Sequence, residues 1–344
     1  MLNPRFGKQG FMKATSKPID VEHLAASIKS GNVVALARGI TIIESTRNRD
    51  RTIKNQLLNA IFSKTGKAYR VGITGVPGVG KSTFIESFGL NAIDNGFKVA
   101  VLSIDPSSSR SGGSILGDKT RMNELSKHKN AFVRPTASGT HLGGVAQSTR
   151  ESMLLCEAAG FDLIIVETVG VGQSEIEAMQ LTDFFLLLML SGAGDELQGI
   201  KRGIMEAADA IAITKADGDN ITASKNAAQE YRRALHLMPP HEGDWIPKVG
   251  ITSSIEKRGM QEVLKWLKLY RNNCEKNGYW EIKRKKQADY WFDKHLQKQL
   301  LSVLTSNEAL ENSLSDIKAS VHNLNIDPFQ AAESLIQSIK IRLD

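Results

Sequence analysis

A glycine-rich segment with one lysine and one serine has the spacing of a phosphate-binding loop. Residues 75–82 read GVPGVGKS and match the pattern G-x-x-x-x-G-K-[ST] in full. Because glycine has no Cβ, the backbone N–H groups of such a loop can turn inward around an anion. Lys81 is expected to reach the terminal phosphates of a nucleotide, and the Ser82 hydroxyl is expected to ligate Mg²⁺. The expected nucleotide contacts are Gly75, Val76, Pro77, Gly78, Val79, Gly80, Lys81, Ser82 and Thr83.

The residues on either side of this loop predict the elements that must position it. Residues 69–74, YRVGIT, are typical of a strand that enters the loop, and residues 82–87, STFIES, are typical of the first turns of a helix. The N-terminal dipole of that helix favours the same phosphates. A glycine-rich turn that matches the pattern by chance is the alternative. The agreement of strand, loop and helix argues against it.

Three acidic residues are candidates to complete a metal site with Ser82. Asp105 follows the apolar run 99–104, Glu167 follows the run 163–166, and Asp118 follows a stretch rich in serine and glycine. Mg²⁺ prefers hard oxygen ligands, few of them from protein, with phosphates and waters filling the octahedron. Ser82 with one or two of these carboxylates would satisfy it. The alternative is that each acid only caps a turn.

Gly170 is a candidate sensor of the terminal phosphate. A glycine just after a strand-end acid can donate its N–H to a γ-phosphate and shift when that phosphate leaves. Residues 167–175 and 107–121 are therefore candidate switch segments. Gln173 or Asp105 could position the attacking water, and the sequence does not decide between them. The candidate catalytic residues are Lys81, Asp105, Glu167 and Gly170.

A second motif indicates which base the nucleotide carries. Thr214-Lys215-Ala216-Asp217 follows an apolar run and fits the guanine-reading pattern [N/T]-K-x-D. In this pattern the aspartate accepts two hydrogen bonds from the guanine edge, where adenine has no matching donors, and the lysine stem packs over the ring. Thr214 replaces the more usual asparagine, which leaves base affinity open. Ser253 and Ser254 are candidates for a second base-contacting loop, although two serines in a turn are more often only a turn.

The elements between these motifs predict an α/β fold. From about residue 68 to 265, short apolar runs alternate with amphipathic stretches, which is typical of a mainly parallel sheet flanked by helices, as in a P-loop NTPase. Nucleotides bind at the carboxyl ends of the strands in such sheets. The predicted strands are 71–74, 99–104, 163–166, 184–190, 210–213 and 246–251.

The chain is predicted to have three parts. Residues 1–65 form a polar tail and a helical N-terminal extension, in which Asp20 is a plausible helix cap. Residues 66–270 form the nucleotide-binding domain. Residues 271–344 have a helical pattern without a sheet of their own, and we expect them to form an oligomerisation arm.

Composition excludes several classes of protein. Of the 344 residues, 41% are hydrophobic and 24% charged, which predicts a globular core. No run approaches the ~20 apolar residues of a membrane span, so no membrane association is expected. Two cysteines outside any CxxC motif do not predict disulfides and fit the cytoplasm. The net charge of +7 comes largely from 257–298, where a solvated helix face explains it better than nucleic-acid binding.

Taken together, these residues resemble the ArgK/MeaB family, the methylmalonyl-CoA mutase-associated GTPases. The resemblance covers nearly the whole chain. Its main segments are GITGVPGVGKST at 72–83, SIDPSSSRSGGSILGDKTRM at 103–122, VETVGVGQSE at 166–175, GAGDELQGIKRGIMEAAD at 192–209 and TKADGDN at 214–220.

The resemblance implies a Mg²⁺-dependent GTPase that binds GTP and GDP. It implies a chaperone of an adenosylcobalamin-dependent acyl-CoA mutase, in which the nucleotide state gates cofactor delivery and protects the mutase. Members of the family are homodimers joined through C-terminal helices. Asp105, Asp118 and Glu167 match the family's acidic positions near Mg²⁺. Asp195, Gln198 and Lys201 match a third switch loop that couples the nucleotide to the partner.

Two other functions remain open from the sequence. A nickel-insertion GTPase would need imidazole or thiolate ligands, and the seven histidines and two cysteines form no such tract. A transport-associated ATPase or kinase is the other alternative, and it would need an acceptor site that the sequence does not reveal.

Overall fold

A parallel sheet organises the larger part of the chain. The structure is a computed structural model that describes residues 19–47, 49–104, 122–135, 142–168, 173–192, 202–239, 241–306 and 308–343. Within these ranges the strands are β1 (Tyr69–Gly75), β2 (Val99–Ile104), β3 (Ala131–Pro135), β4 (Leu163–Thr168), β5 (Phe184–Met189), β6 (Ala210–Ile213) and β7 (Lys248–Ile251). They form one sheet in the order β3-β2-β4-β1-β5-β6-β7, and every neighbouring pair is parallel.

Helices connect the strands and cover the sheet. They are α4 (Lys81–Asp94), α5 (Asn123–Lys127), α6 (Leu142–Ala158), α7 (Gln173–Leu181), α8 (Arg202–Glu206), α9 (Ile221–His236) and α10 (Met260–Lys276), with short 3₁₀ turns at Phe62–Lys64, Gly218–Asn220 and Glu242–Asp244. Every residue of β2, β4 and β5 is buried, as expected for a parallel sheet with both faces covered. The predicted α/β fold is confirmed, and all carboxyl strand ends lie along one edge.

Three helices precede the sheet: α1 (Val21–Lys29), α2 (Val33–Glu44) and α3 (Asp50–Ile61). Asp20 caps α1, since its carboxylate accepts a hydrogen bond from the His23 backbone N–H at 3.0 Å. The three helices pack against one another and against α6. Ion pairs also tie them to the sheet domain, and Lys54 Nζ lies 2.5 Å from a Glu151 carboxylate oxygen of α6.

An aromatic cluster closes the core beneath α10. Tyr270 is almost fully buried and meets Phe184 and Trp245 edge-on, with ring centroids 5.3 and 5.2 Å away. Neither Cys156 nor Cys274 forms a disulfide, and both are fully buried. Burial raises the pKa of the Cys156 thiol well above its usual range. Both cysteines are therefore parts of the core.

The chain divides into two compact units, residues 1–280 and 281–344. The helices towards the C-terminus are α11 (Tyr279–Ser306), α12 (Glu308–His322) and α13 (Pro328–Leu343). α12 and α13 pack against each other. The Asp327 carboxylate caps α13 by accepting hydrogen bonds from the N–H groups of Phe329 and Gln330 at 2.9 and 3.2 Å. Among the described helices, none is both long and apolar enough to cross a membrane.

Candidate nucleotide-binding site

The predicted phosphate loop connects β1 to α4 at the carboxyl edge of the sheet. Gly75 pairs with Leu188 of β5, and a Cβ added at Gly75 would lie 2.5 Å from the Leu188 carbonyl oxygen. Gly78 and Gly80 have φ angles of 78° and 89°, in the left-handed region that other residues rarely adopt. The three glycines of the motif are therefore required by the backbone path. Thr83 is exposed on the first turn of α4.

Lys81 reaches back across this loop. Its Nζ donates a hydrogen bond to the Gly75 carbonyl oxygen at 2.8 Å and lies 3.5 Å from the Val76 carbonyl oxygen. Burial lowers the pKa of the Lys81 amine, and the negative charges of Glu167 and Glu175 act in the opposite direction. The positive charge is thus held at the loop in a partly desolvated position, where an anionic phosphate would interact with it strongly.

Ser82 and Glu167 lie together. The Ser82 hydroxyl donates a hydrogen bond to Glu167 Oε1 at 3.1 Å, although the two residues are 85 positions apart in the chain. Glu167 lies in β4, which is the neighbour of β1 in the sheet, and its side chain is buried. The adjacent Thr168 hydroxyl donates to the Thr74 hydroxyl at 2.8 Å and ties the two strand ends. One hydroxyl and one carboxylate therefore form a pair of hard oxygen donors, which suits Mg²⁺.

The other predicted metal and switch residues lie outside the described residues. These are Asp105, Asp118, Gly170, Asp195, Gln198 and Lys201. Gln173 begins α7. The predicted roles of Gln173 and of these six residues stay predictions.

Thr214 is the first residue of the base-reading loop, residues 214–217, and it joins this loop to the phosphate loop. Its side chain is buried, and its hydroxyl donates to the Val79 carbonyl oxygen at 2.7 Å and lies 3.3 Å from the Met189 carbonyl oxygen. The Thr214 backbone N–H also donates to Met189, at 2.8 Å. A threonine at this position therefore makes a direct link between the two motifs.

Asp217 and Ser253 also meet, as members of the two predicted base-contacting loops. The Ser253 hydroxyl donates to Asp217 Oδ2 at 2.7 Å and accepts a hydrogen bond from the Glu256 backbone N–H at 3.1 Å. Ser254 is half-buried in the same turn. The loops follow β6 and β7, which are neighbours in the sheet, so their meeting is a result of strand order.

Two further residues of this region were missed at the level of sequence. Asn220 Nδ2 donates to the Lys215 carbonyl oxygen at 2.7 Å, and Arg258 Nη1 donates to the Ala216 carbonyl oxygen at 3.1 Å. Asn220 could have been found as the last residue of the DGDN string after the motif. Arg258 gives no sequence signal, because it reaches Ala216 only through the three-dimensional fold.

A strand, a glycine-rich loop and a helix, with an aspartate-bearing loop after a later parallel strand, define a P-loop nucleoside triphosphatase. The model of the family described as "Methylmalonyl Co-A mutase-associated GTPase MeaB" matches residues 36–309. This chain belongs to that family and is therefore a GTPase by class. The resemblance found in the sequence is confirmed.

Individual relatives extend this match over nearly the full length. The chain is 43% identical to "GTPase ArgK" of Escherichia coli strain K12, over 91% of this chain and 95% of that protein. It is 39% identical to "Methylmalonic aciduria type A homolog, mitochondrial" of Mus musculus, over 94% of this chain and 80% of that protein. A solved structure titled "Crystal structure of LAO/AO transport system kinase" has a TM-score of 0.73 at 35% identity and covers 93% of this chain and 97% of its own.

Proposed function

We propose that this protein is a Mg²⁺-dependent GTPase that acts as a chaperone of an adenosylcobalamin-dependent acyl-CoA mutase of the methylmalonyl-CoA type. In this proposal the nucleotide state gates cofactor loading and protects the mutase. The observation that carries the nucleotide chemistry is the contact between Ser82 and Glu167 beside Lys81. The association with the mutase is supported by the family description.

The metal would be held by Ser82 and Glu167, with Asp105 and Asp118 as further candidate ligands. The Ser82–Glu167 contact fits this role because both groups present oxygen and lie at the start of α4. When bound, Mg²⁺ would supply positive charge that offsets the negative charge developing on the phosphates during transfer. Lys81 would add its own charge on the phosphates, and Gly170 would report the presence of the γ-phosphate. Hydrolysis of GTP to GDP and phosphate would be the signal.

The base would be guanine. The Ser253 hydroxyl donates a hydrogen bond to Asp217 Oδ2, so this carboxylate is already oriented. Lys215 is exposed beside it and can pack its stem over a ring. Asp195, Gln198 and Lys201 would pass the nucleotide state to the mutase, and a cytoplasmic location is part of the same proposal.

A homodimer joined through the C-terminal helices completes the proposal. On α11, Phe292, Leu296 and Leu300 are spaced by four residues, so they lie on one face of the helix. Their side chains are exposed by 66%, 44% and 56%. An apolar stripe of this kind supports association with a second copy through a helix face.

Calorimetry tests the nucleotide assignment, and turnover assays with the mutase test the partner assignment. We expect tight uptake of GDP and of a non-hydrolysable GTP analogue that requires Mg²⁺. Basal phosphate release should be slow and should rise when purified methylmalonyl-CoA mutase is added, since the sequence motifs do not point to an arginine finger. Lys81→Ala should abolish turnover, whereas Lys265→Ala, which removes an exposed lysine of α10, should not.

The outcomes separate the claims. Absence of guanine nucleotide binding would end the nucleotide assignment. Normal binding with no response to the mutase in rate or affinity would end the partner assignment only. A transport-associated kinase or ATPase, named for the solved relative, predicts equal thermal stabilisation by GDP and ADP. The proposed GTPase predicts stabilisation by GDP alone.

A further inference from the structure

Three side chains outside the motif donate hydrogen bonds to the base-reading loop. Lys215, Ala216 and Asp217 are consecutive, and each receives one side-chain hydrogen bond from elsewhere. Asn220 donates to the Lys215 carbonyl oxygen at 2.7 Å, Arg258 to the Ala216 carbonyl oxygen at 3.1 Å, and Ser253 to the Asp217 carboxylate at 2.7 Å. The contacts fix both the path of the loop and the direction of its aspartate.

The loop needs such support because its backbone is strained. Lys215 has a φ angle of 55°, in the left-handed region that non-glycine residues seldom occupy. A residue in that region costs free energy and persists only where surrounding contacts hold it. The Asn220 amide holds the carbonyl of this residue. Asn220 is itself oriented, since its Oδ1 accepts a hydrogen bond from the Ser191 hydroxyl at 2.7 Å.

Arg258 holds the next peptide group. The Ala216 backbone N–H donates to the Thr252 carbonyl oxygen at 3.0 Å, and Arg258 binds the Ala216 carbonyl oxygen, so both polar groups of this buried residue are held by the loop after β7. Arg258 is anchored in turn. Its backbone exchanges two hydrogen bonds with Ser253 at 3.1 and 2.9 Å, and its Nη2 pairs with the Glu256 carboxylate.

We propose that Arg258 and Asn220 are specificity-positioning residues for guanine. They hold the peptide groups of Lys215 and Ala216 so that the Asp217 carboxylate can accept hydrogen bonds from both the N1–H and the 2-amino group of the base. This inference rests on the proposed guanine nucleotide function. It adds that the discrimination depends on two side chains that do not touch the base, because a bidentate contact tolerates little error in the position of the carboxylate.

The test measures base preference rather than activity. Calorimetry with GDP, ADP, inosine diphosphate and Mg²⁺-pyrophosphate is done on the full chain. Inosine diphosphate lacks the 2-amino group, so it forms only one of the two hydrogen bonds. In Arg258→Ala we expect GDP affinity to fall about tenfold, the loss of one charge-assisted hydrogen bond. The affinity for inosine diphosphate should fall less, so the preference for GDP over inosine diphosphate becomes smaller. The affinity for pyrophosphate should be unchanged.

Matched variants make the result specific. Arg258→Lys keeps a cationic donor and should restore part of the GDP preference, and Asn220→Ala should lower it as Arg258→Ala does. Arg233→Ala, which removes an exposed arginine near the other end of α9, should leave all three affinities unchanged. Thermal unfolding shows whether each variant is folded.

Two results would overturn the inference in distinguishable ways. Suppose that wild-type protein prefers GDP. If Arg258→Ala then keeps the same ratio of GDP to inosine diphosphate affinity, or if its affinity for pyrophosphate falls as much as that for GDP, Arg258 has only a structural role. If wild-type protein shows no preference for GDP over ADP, the guanine assignment itself fails and this inference fails with it.

Discussion

Thr214 stands where guanine-reading loops most often carry asparagine, and its hydroxyl reaches the phosphate loop. The contact with the Val79 carbonyl oxygen is 2.7 Å long and joins residues 135 positions apart. Because Thr214 is buried, loss of the hydroxyl would leave that carbonyl without this donor in a site that water does not enter freely. Thr214 thus links the two ends of the site.

Thr214→Val removes this hydroxyl with almost no change in volume. We expect the affinity for GDP to fall about tenfold, since an unmade hydrogen bond in a buried site costs about 1–3 kcal/mol. Titration calorimetry measures the change. As a control, Thr65→Val removes an exposed hydroxyl that donates to the Phe62 carbonyl oxygen at 2.8 Å and should bind GDP normally. Wild-type affinity in a folded Thr214→Val protein would mean that the link does not position either loop.

At this scale, some features of the site could be predicted from the sequence and others could not. The phosphate loop and the base motif could be found in the sequence because each is a local string whose spacing carries its chemistry. The hydrogen bonds from Thr214 to Val79 and from Arg258 to Ala216 could not, because they depend on which strands are neighbours. The contact from Asn220 to Lys215 is local, across five positions of the chain. Only the order of strands in the sheet brings the loops after β1, β6 and β7 together.

At the scale of elements, β3 is the strand that the sequence did not predict. It contains five residues, AFVRP, at the edge of the sheet, and it ends in Arg134 and Pro135. Its apolar run, residues 131–133, is too short to mark a strand, and the proline that follows is tolerated because the strand lies at the edge of the sheet. It is fixed by pairing with β2 and by Arg134, whose Nη2 lies 2.5 Å from a Glu44 carboxylate oxygen.

The N-terminal helices should contribute to the stability of the sheet domain through their ion pairs. Lys54 and Glu151 have side chains exposed by only 19% and 9%, and Gln147 also donates to Glu151, at 3.1 Å. Lys54→Met should lower the free energy of unfolding by about 1–3 kcal/mol, because it leaves a largely buried carboxylate without its cation. Chemical denaturation measures this change.

The i,i+4 pair of Arg271 and Glu275 on α10 provides the control, because the carboxylate that it involves, Glu275, is exposed by 46%. Glu275→Gln should cost less than about 0.5 kcal/mol, as is usual for helix-surface pairs. Equal effects of the two substitutions would show that the Lys54–Glu151 contact is no more than a surface ion pair.

At the scale of the whole molecule, the apolar stripe on α11 predicts the state of association. Phe292→Asp combined with Leu296→Asp should convert a dimer to a monomer in light scattering, because two charges would have to be buried in the interface. Leu237→Asp, at a leucine that is 86% exposed after α9, should remain dimeric. A monomeric wild-type protein would exclude the homodimer.

The two cysteines have a practical consequence for measuring such changes. Cys156 and Cys274 are buried and form no disulfide, and burial raises the pKa of the Cys156 thiol. A maleimide dye or a spin label therefore has little to react with on the folded wild-type protein. Two cysteines, one introduced on the surface of α7 and one on the surface of α11, can be labelled selectively without first replacing the native thiols. Distances between two labels can then be followed by fluorescence transfer or electron resonance through a turnover cycle.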